Sequence, residues 1–126
     1  MNGRGMKWLR SALVASALAV GGCGASLPPV ADGERARAAL QATLDAWRDG
    51  ATDESLQKRK PPIFVNEPDW RTGRKLARYV LGVGERHGQS WRCDVQLSFA
   101  DDASDAAPTA ARYLVDTDPA TVVVRE

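Results

Sequence analysis

The sequence predicts an α+β domain: N-terminal helices packed on a curved antiparallel sheet of about four strands. Two observations carry this prediction. Glu34–Arg48 (ERARAALQATLDAWR) places Ala36, Leu40, Leu44 and Trp47 at spacings of four, four and three, the period of a helix with one buried stripe. Trp91–Ala100 (WRCDVQLSFA) alternates Trp91, Cys93, Val95, Leu97 and Phe99 with Arg92, Asp94, Gln96 and Ser98, the period of a strand with one dry and one wet face. The dry face needs a cover, and the helix supplies it. With 126 residues, 44% of them hydrophobic and 26% charged, the chain can bury one core and is too apolar to stay disordered.

The first element, Gly24–Gly33 (GASLPPVADG), has small residues, two prolines and no hydrophobic period, which reads as an extended tether. Asp32 is placed to cap the helix, Glu34 favours its first turn, and Gly50 is placed to end it. Burying its two leucines and Trp47 contributes on the order of 6 kcal/mol before entropy. A shorter turn follows over Thr52–Lys58, with Thr52 or Asp53 as cap and Pro61-Pro62 as the stop. Ile63, Phe64 and Val65 form a short β-rich run, and Asn66–Gly73 (NEPDWRTG) reads as a turn or a single helical turn. Leu76–Val83 is expected to pair with the Trp91–Ala100 strand through Glu85–Ser90 (ERHGQS). Ala110–Thr117 and Thr121–Arg125, divided by Asp118-Pro119, complete the four strands. One domain over residues 34–126 is expected.

The first twenty-two residues have another character. Arg4, Lys7 and Arg10 precede Ser11–Gly22 (SALVASALAVGG), and no acid occurs before Asp32, the layout of an export signal. A helix of that small and apolar stretch would be roughly 18 Å long against a bilayer core of about 30 Å, too short for a permanent span. Val20-Gly21-Gly22-Cys23 resembles the lipobox of bacterial lipoproteins. The resemblance implies diacylglycerol on the Cys23 sulfur and cleavage just before it. A thiolate is the strong nucleophile such a transfer needs, and small neighbours let the backbone enter a narrow site. Two or three acyl chains would anchor the domain stably, as one does only marginally. The alternative is a plain signal peptide whose cysteine is incidental, or one cut after Ala25 or Ser26. With Cys23 acylated, Cys93 has no disulfide partner and reads as a small buried hydrophobe.

The order of elements, with LDAWRDG (Leu44–Gly50) closing the first helix and WRTG (Trp70–Gly73) leading into the long strands, is similar to the nuclear transport factor two-like and cystatin-like cones. Asp45–Trp47, Asp69–Gly73 and Tyr113–Pro119 also resemble segments of small bacterial lipoproteins that carry no known activity. Neither resemblance transfers a site residue.

Losing residues 1–22 removes three cations and no acids, leaving 14 cations against 16 acids, so bulk charge gives no footing for nucleic acid. The distribution is uneven. Lys58–Arg78 holds seven basic residues and two acids, whereas Asp94–Asp118 holds six acids and one base. Arg71, Arg74, Lys75 and Arg78 thus form a candidate basic surface that could rest on anionic headgroups. His87, the only histidine, sits between polar residues at an expected hairpin tip, where a solvated side chain is the plain expectation. Asp94, with Trp91 and Trp70, forms a candidate pocket if the sheet curves enough to bring the polar face of the strand inward. Gly82-Val83-Gly84 lacks the third glycine and following helix of a phosphate loop and reads as a bulge or strand end. No catalytic constellation, metal or cofactor is expected. These readings point to a lipid-anchored envelope module at the cell or outer membrane, facing the periplasm or exterior, its partners the bilayer and an envelope protein. A small cone-type enzyme or ligand-binding domain with its pocket near Asp94 is the alternative.

Overall fold

The computed structural model describes residues 30–126, so the leader, Cys23 and the first part of the tether lie outside the described residues. The chain is α+β. Helix α1 spans Gly33–Arg48, and a 3-10 turn covers Asp53–Lys58. Strand β1 (Ile63–Asn66) and the one-turn helix α2 (Pro68–Arg71) follow. Then come β2 (Leu76–His87), β3 (Ser90–Phe99), β4 (Thr109–Asp116) and β5 (Thr121–Arg125).

The sheet has five strands in the order β1-β5-β4-β3-β2. Four were expected as an antiparallel set, and those four pair antiparallel. The short run at Ile63 adds a fifth strand. It pairs parallel with β5, Ile63 opposite Thr121 and Val65 opposite Val123, which makes the sheet mixed. Strand β2 is longer than its apolar pattern suggested. The register shifts between Leu81 and Gly84 mark a bulge, beyond which Glu85–His87 still pair with Ser90–Arg92. The loop expected over Glu85–Ser90 therefore shrinks to Gly88-Gln89, with Gly88 at φ 62°.

Helix α1 forms where its stripe and caps place it. The Asp32 carboxylate accepts from the backbone N–H groups of Glu34 and Arg35 at 3.0 and 3.2 Å, and Gly50 takes φ 87° past the last turn. Ala36, Leu40, Leu44 and Trp47 are buried, joined by Ala39 and Thr43. They lie on the face of the sheet that carries Cys93, Val95, Leu97, Tyr113, Val115 and Val123, all at most 1% exposed. The core fills the space between helix and sheet. On the far face Asp94, Gln96 and Arg112 are exposed, and among the described residues no helix covers the strands.

Close approach explains one glycine. A Cβ on Gly84 would lie 1.8 Å from the Trp91 ring, so Trp91 packs flat over β2 only because that position has no side chain.

The two ends of α1 define the two ends of the molecule. At the first end the chain is pinned by Ala31 N–H to the Gln89 carbonyl at 2.9 Å and Asp32 N–H to the Thr117 hydroxyl at 3.0 Å. At the second end the Trp47 indole donates to the Arg74 carbonyl at 2.7 Å. About 22 Å of helix separates them.

Candidate functional site

An open cleft of about 650 Å³ lies at the C-terminal end of α1. Its floor is built from Trp47 and Trp70. Trp47 is carried there by the buried stripe of α1, and Trp70 by α2, whose first turn starts at Pro68. The indoles stack with centroids 5.8 Å apart and planes 14° apart, and Phe99 tilts against Trp47 at 5.8 Å. Both indole N–H groups are already bound, Trp47 to Arg74 and Trp70 to the Ala51 carbonyl at 3.1 Å. The floor thus offers apolar surface and no free donor.

One wall holds Arg71, Arg74 and Lys75, the other Asp53 and Glu54. Arg74 is committed to structure: its guanidinium lies 3.6 Å over the Phe99 ring and reaches Asp101 at 3.5 Å and Asp102 at 3.3 Å. Arg71 and Lys75 are exposed, and neither makes an ion pair among the described residues. The structure therefore brings together three members of the expected basic surface. Arg78, the fourth, pairs in register with Ser98 along β2 and does not line the cleft.

Trp70, Trp91 and Asp94 do not meet. Trp70 sits against Trp47 at one end of α1, while Trp91 lies within contact distance of Gly33 at the other. Asp94 is on the opposite face of β3 from Trp91, where its carboxylate accepts from the Arg112 guanidinium at 2.7 Å. That hydrogen bond, with the charges of Arg112 and Arg92, holds the Asp94 carboxyl below its ordinary range. An aspartate so held is a poor proton acceptor near neutrality. His87 is exposed at the end of β2. Burial pushes the Cys93 thiol upward, which keeps it protonated and unreactive.

One polar cluster has no counterpart in the sequence reading. Glu67, 1% exposed, caps α2 with one carboxylate oxygen on the Asp69 N–H at 2.8 Å. Its other oxygen accepts from the Tyr113 hydroxyl at 2.5 Å and from Arg125 at 2.6 Å. Arg125 also reaches Asp69 at 3.1 Å. Burial, then the hydrogen bond to Glu67, raise the Tyr113 phenol far above its ordinary value. Desolvation works against the charge on Arg125, and the hydrogen bond and charge of Glu67 outweigh it, so its pKa is raised. Protons are held fast at each position. The cluster is a buried lock between α2, β4 and β5 and has no group free to react. The sequence signal for it is faint: a carboxylate immediately before a proline that opens a helical turn.

Among the described residues no three histidine, cysteine or acidic side chains stand close enough to hold a metal, and no helix is long and apolar enough to cross a membrane. No family model, curated protein or solved structure matches the chain.

Proposed function

We propose that the chain is exported, acylated on Cys23 and held at a bacterial membrane surface, where its domain serves as a binding or structural module of the envelope. One observation carries the reading: three cations, a short apolar stretch and Val20-Gly21-Gly22-Cys23 follow one another in the order that a lipoprotein leader requires. Two structural features support the module half of the proposal. The space between α1 and the sheet is filled, and the titratable groups with displaced pKa values are tied to partners in ways that suit packing better than proton transfer.

The test is a detergent phase split of the exported protein, followed by the mass of its N-terminal peptide. The expected result is partition into the detergent phase and a peptide that begins at Cys23 and carries diacylglycerol. A protein confined to the aqueous phase, with an unmodified N-terminus after Cys23, removes the anchor and leaves only the fold.

A further inference from the structure

We infer that the first end of the domain, on the flank between α1 and β1, rests on the anionic headgroups of the bilayer to which Cys23 would tether it; the inference rests on the anchored reading above. A dimple of about 200 Å³ lies on this flank, floored by Ala39, Ala42, Pro61 and Ile63. Arg35, Arg59 and Lys60 stand around it. All three are exposed, and none makes an ion pair among the described residues. Glu34 points about 100° round the axis from Arg35, and Asp45 and Asp49, which share a neighbouring concavity with Arg59, do not reach it within ion-pair distance. Three unpaired cations around an apolar floor complement a phosphate with acyl chain beneath it.

The dimple lies nearer the tether than the other basic surface does. From Cys23 to Val30 the backbone can extend about 25 Å at most, whatever its conformation. The dimple lies where that stretch joins the domain: Arg35 is in the first turn of α1, and Thr121 on its rim follows the Thr117 that binds Asp32. Arg71 and Lys75 line the cleft beside Trp47, at the other end of α1. They face away when the first end is down. The structure thereby places Arg59 and Lys60 of the Lys58–Arg78 segment at the dimple and Arg71, Arg74 and Lys75 at the cleft.

The chain that remains after Gly22 has more acids than cations, so bulk attraction cannot draw it to a negative surface. Local complementarity is required, and this makes the idea testable. A chain starting at Ala25 keeps every core residue named above, all between Ala31 and Val123, and carries no acyl group. Its co-sedimentation at low salt with vesicles of phosphatidylglycerol and phosphatidylcholine in equal parts is compared with vesicles of phosphatidylcholine alone. Binding is expected only with phosphatidylglycerol, and it is released as salt rises. Each cation at such a surface gives about a fivefold gain in partitioning, so Arg35→Gln, Arg59→Gln and Lys60→Gln together should lower it on the order of a hundredfold. The same charge removed at the other end, Arg71→Gln, Lys75→Gln and Arg78→Gln, should change it less than about threefold. Binding indifferent to phosphatidylglycerol, or an equal loss in both triple variants, overturns the proposal. Circular dichroism of each variant separates lost binding from lost fold. Because this chain is not acylated, the vesicle result and the detergent split can fail independently.

Discussion

Replacing Glu67 with alanine is the sharpest test of the buried lock. The substitution removes the acceptor for a Tyr113 hydroxyl that is wholly buried and for an Arg125 whose side chain is 19% exposed. Deleting one partner of a buried ion pair costs about 3–5 kcal/mol, chiefly because the other charge is stranded. Arg125 keeps Asp69 at 3.1 Å and some access to water, which places the expected loss near the lower limit, about 3 kcal/mol. For a domain of this size that is a fall in Tm of roughly 12–24 °C. Urea unfolding followed by tryptophan fluorescence should show a lower midpoint with an unchanged slope. A cycle with Tyr113→Phe isolates the hydroxyl–carboxylate contact, and the two losses should couple by about 1–2 kcal/mol. A loss below about 1 kcal/mol for Glu67→Ala, or strict additivity in the cycle, would refute the claim that the cluster holds α2 to the sheet.

Both tyrosines of the chain should titrate late. Burial and the hydrogen bond to Asp45 push Tyr79 up to about 12, and Tyr113 is raised further. The native protein should therefore show little phenolate by ultraviolet absorbance at pH 10–11, where the unfolded chain is half or more ionised. Because the folded values are the higher ones, this contribution to stability is whole below pH 10 and is lost as pH rises through 12; a native titration near 10 contradicts the packing of both rings. Cys93 should react with thiol reagents only as fast as the domain opens, and rapid labelling of folded protein would show that the sulfur is not buried. Gly84→Ala should destabilise by about 3 kcal/mol and shift the Trp91 emission, since the new methyl must displace the ring. A neutral effect would place Trp91 elsewhere.

What sequence reasoning reached was local. The cap at Asp32, the stripe of α1, the stop at Gly50 and the alternation along β3 depend on neighbours within a turn or a pleat, and each is found where its pattern puts it. Gly82-Val83-Gly84 reads locally as a bulge or strand end, but its consequence is not local. The strand resumes after it through polar residues, and only the pairing with Ser90–Arg92 shows that Glu85–His87 belong to the sheet. Nothing local marks Glu67 as buried, because its two partners lie 46 and 58 residues away. The parallel pairing of β1 with β5 is hidden for the same reason. The basic run is legible as charge, but chain order cannot show that Arg59 and Lys60 border the dimple beside Arg35 while Arg71 and Lys75 border the cleft beside Trp47.

The position of β5 in the sheet has a consequence for the order of assembly. Although it follows all the other strands in the chain, it lies between β1 and β4. Until it arrives, Ile63–Asn66 have no neighbour to pair with and Glu67 has no cation opposite it. The helix and the β2–β3–β4 meander can gather first, but the Ile63 edge closes only once Thr121–Arg125 has slotted in. A chain threaded through a membrane from its N-terminus would therefore stay unfinished along that edge until Thr121–Arg125 had followed Ile63–Asn66 across.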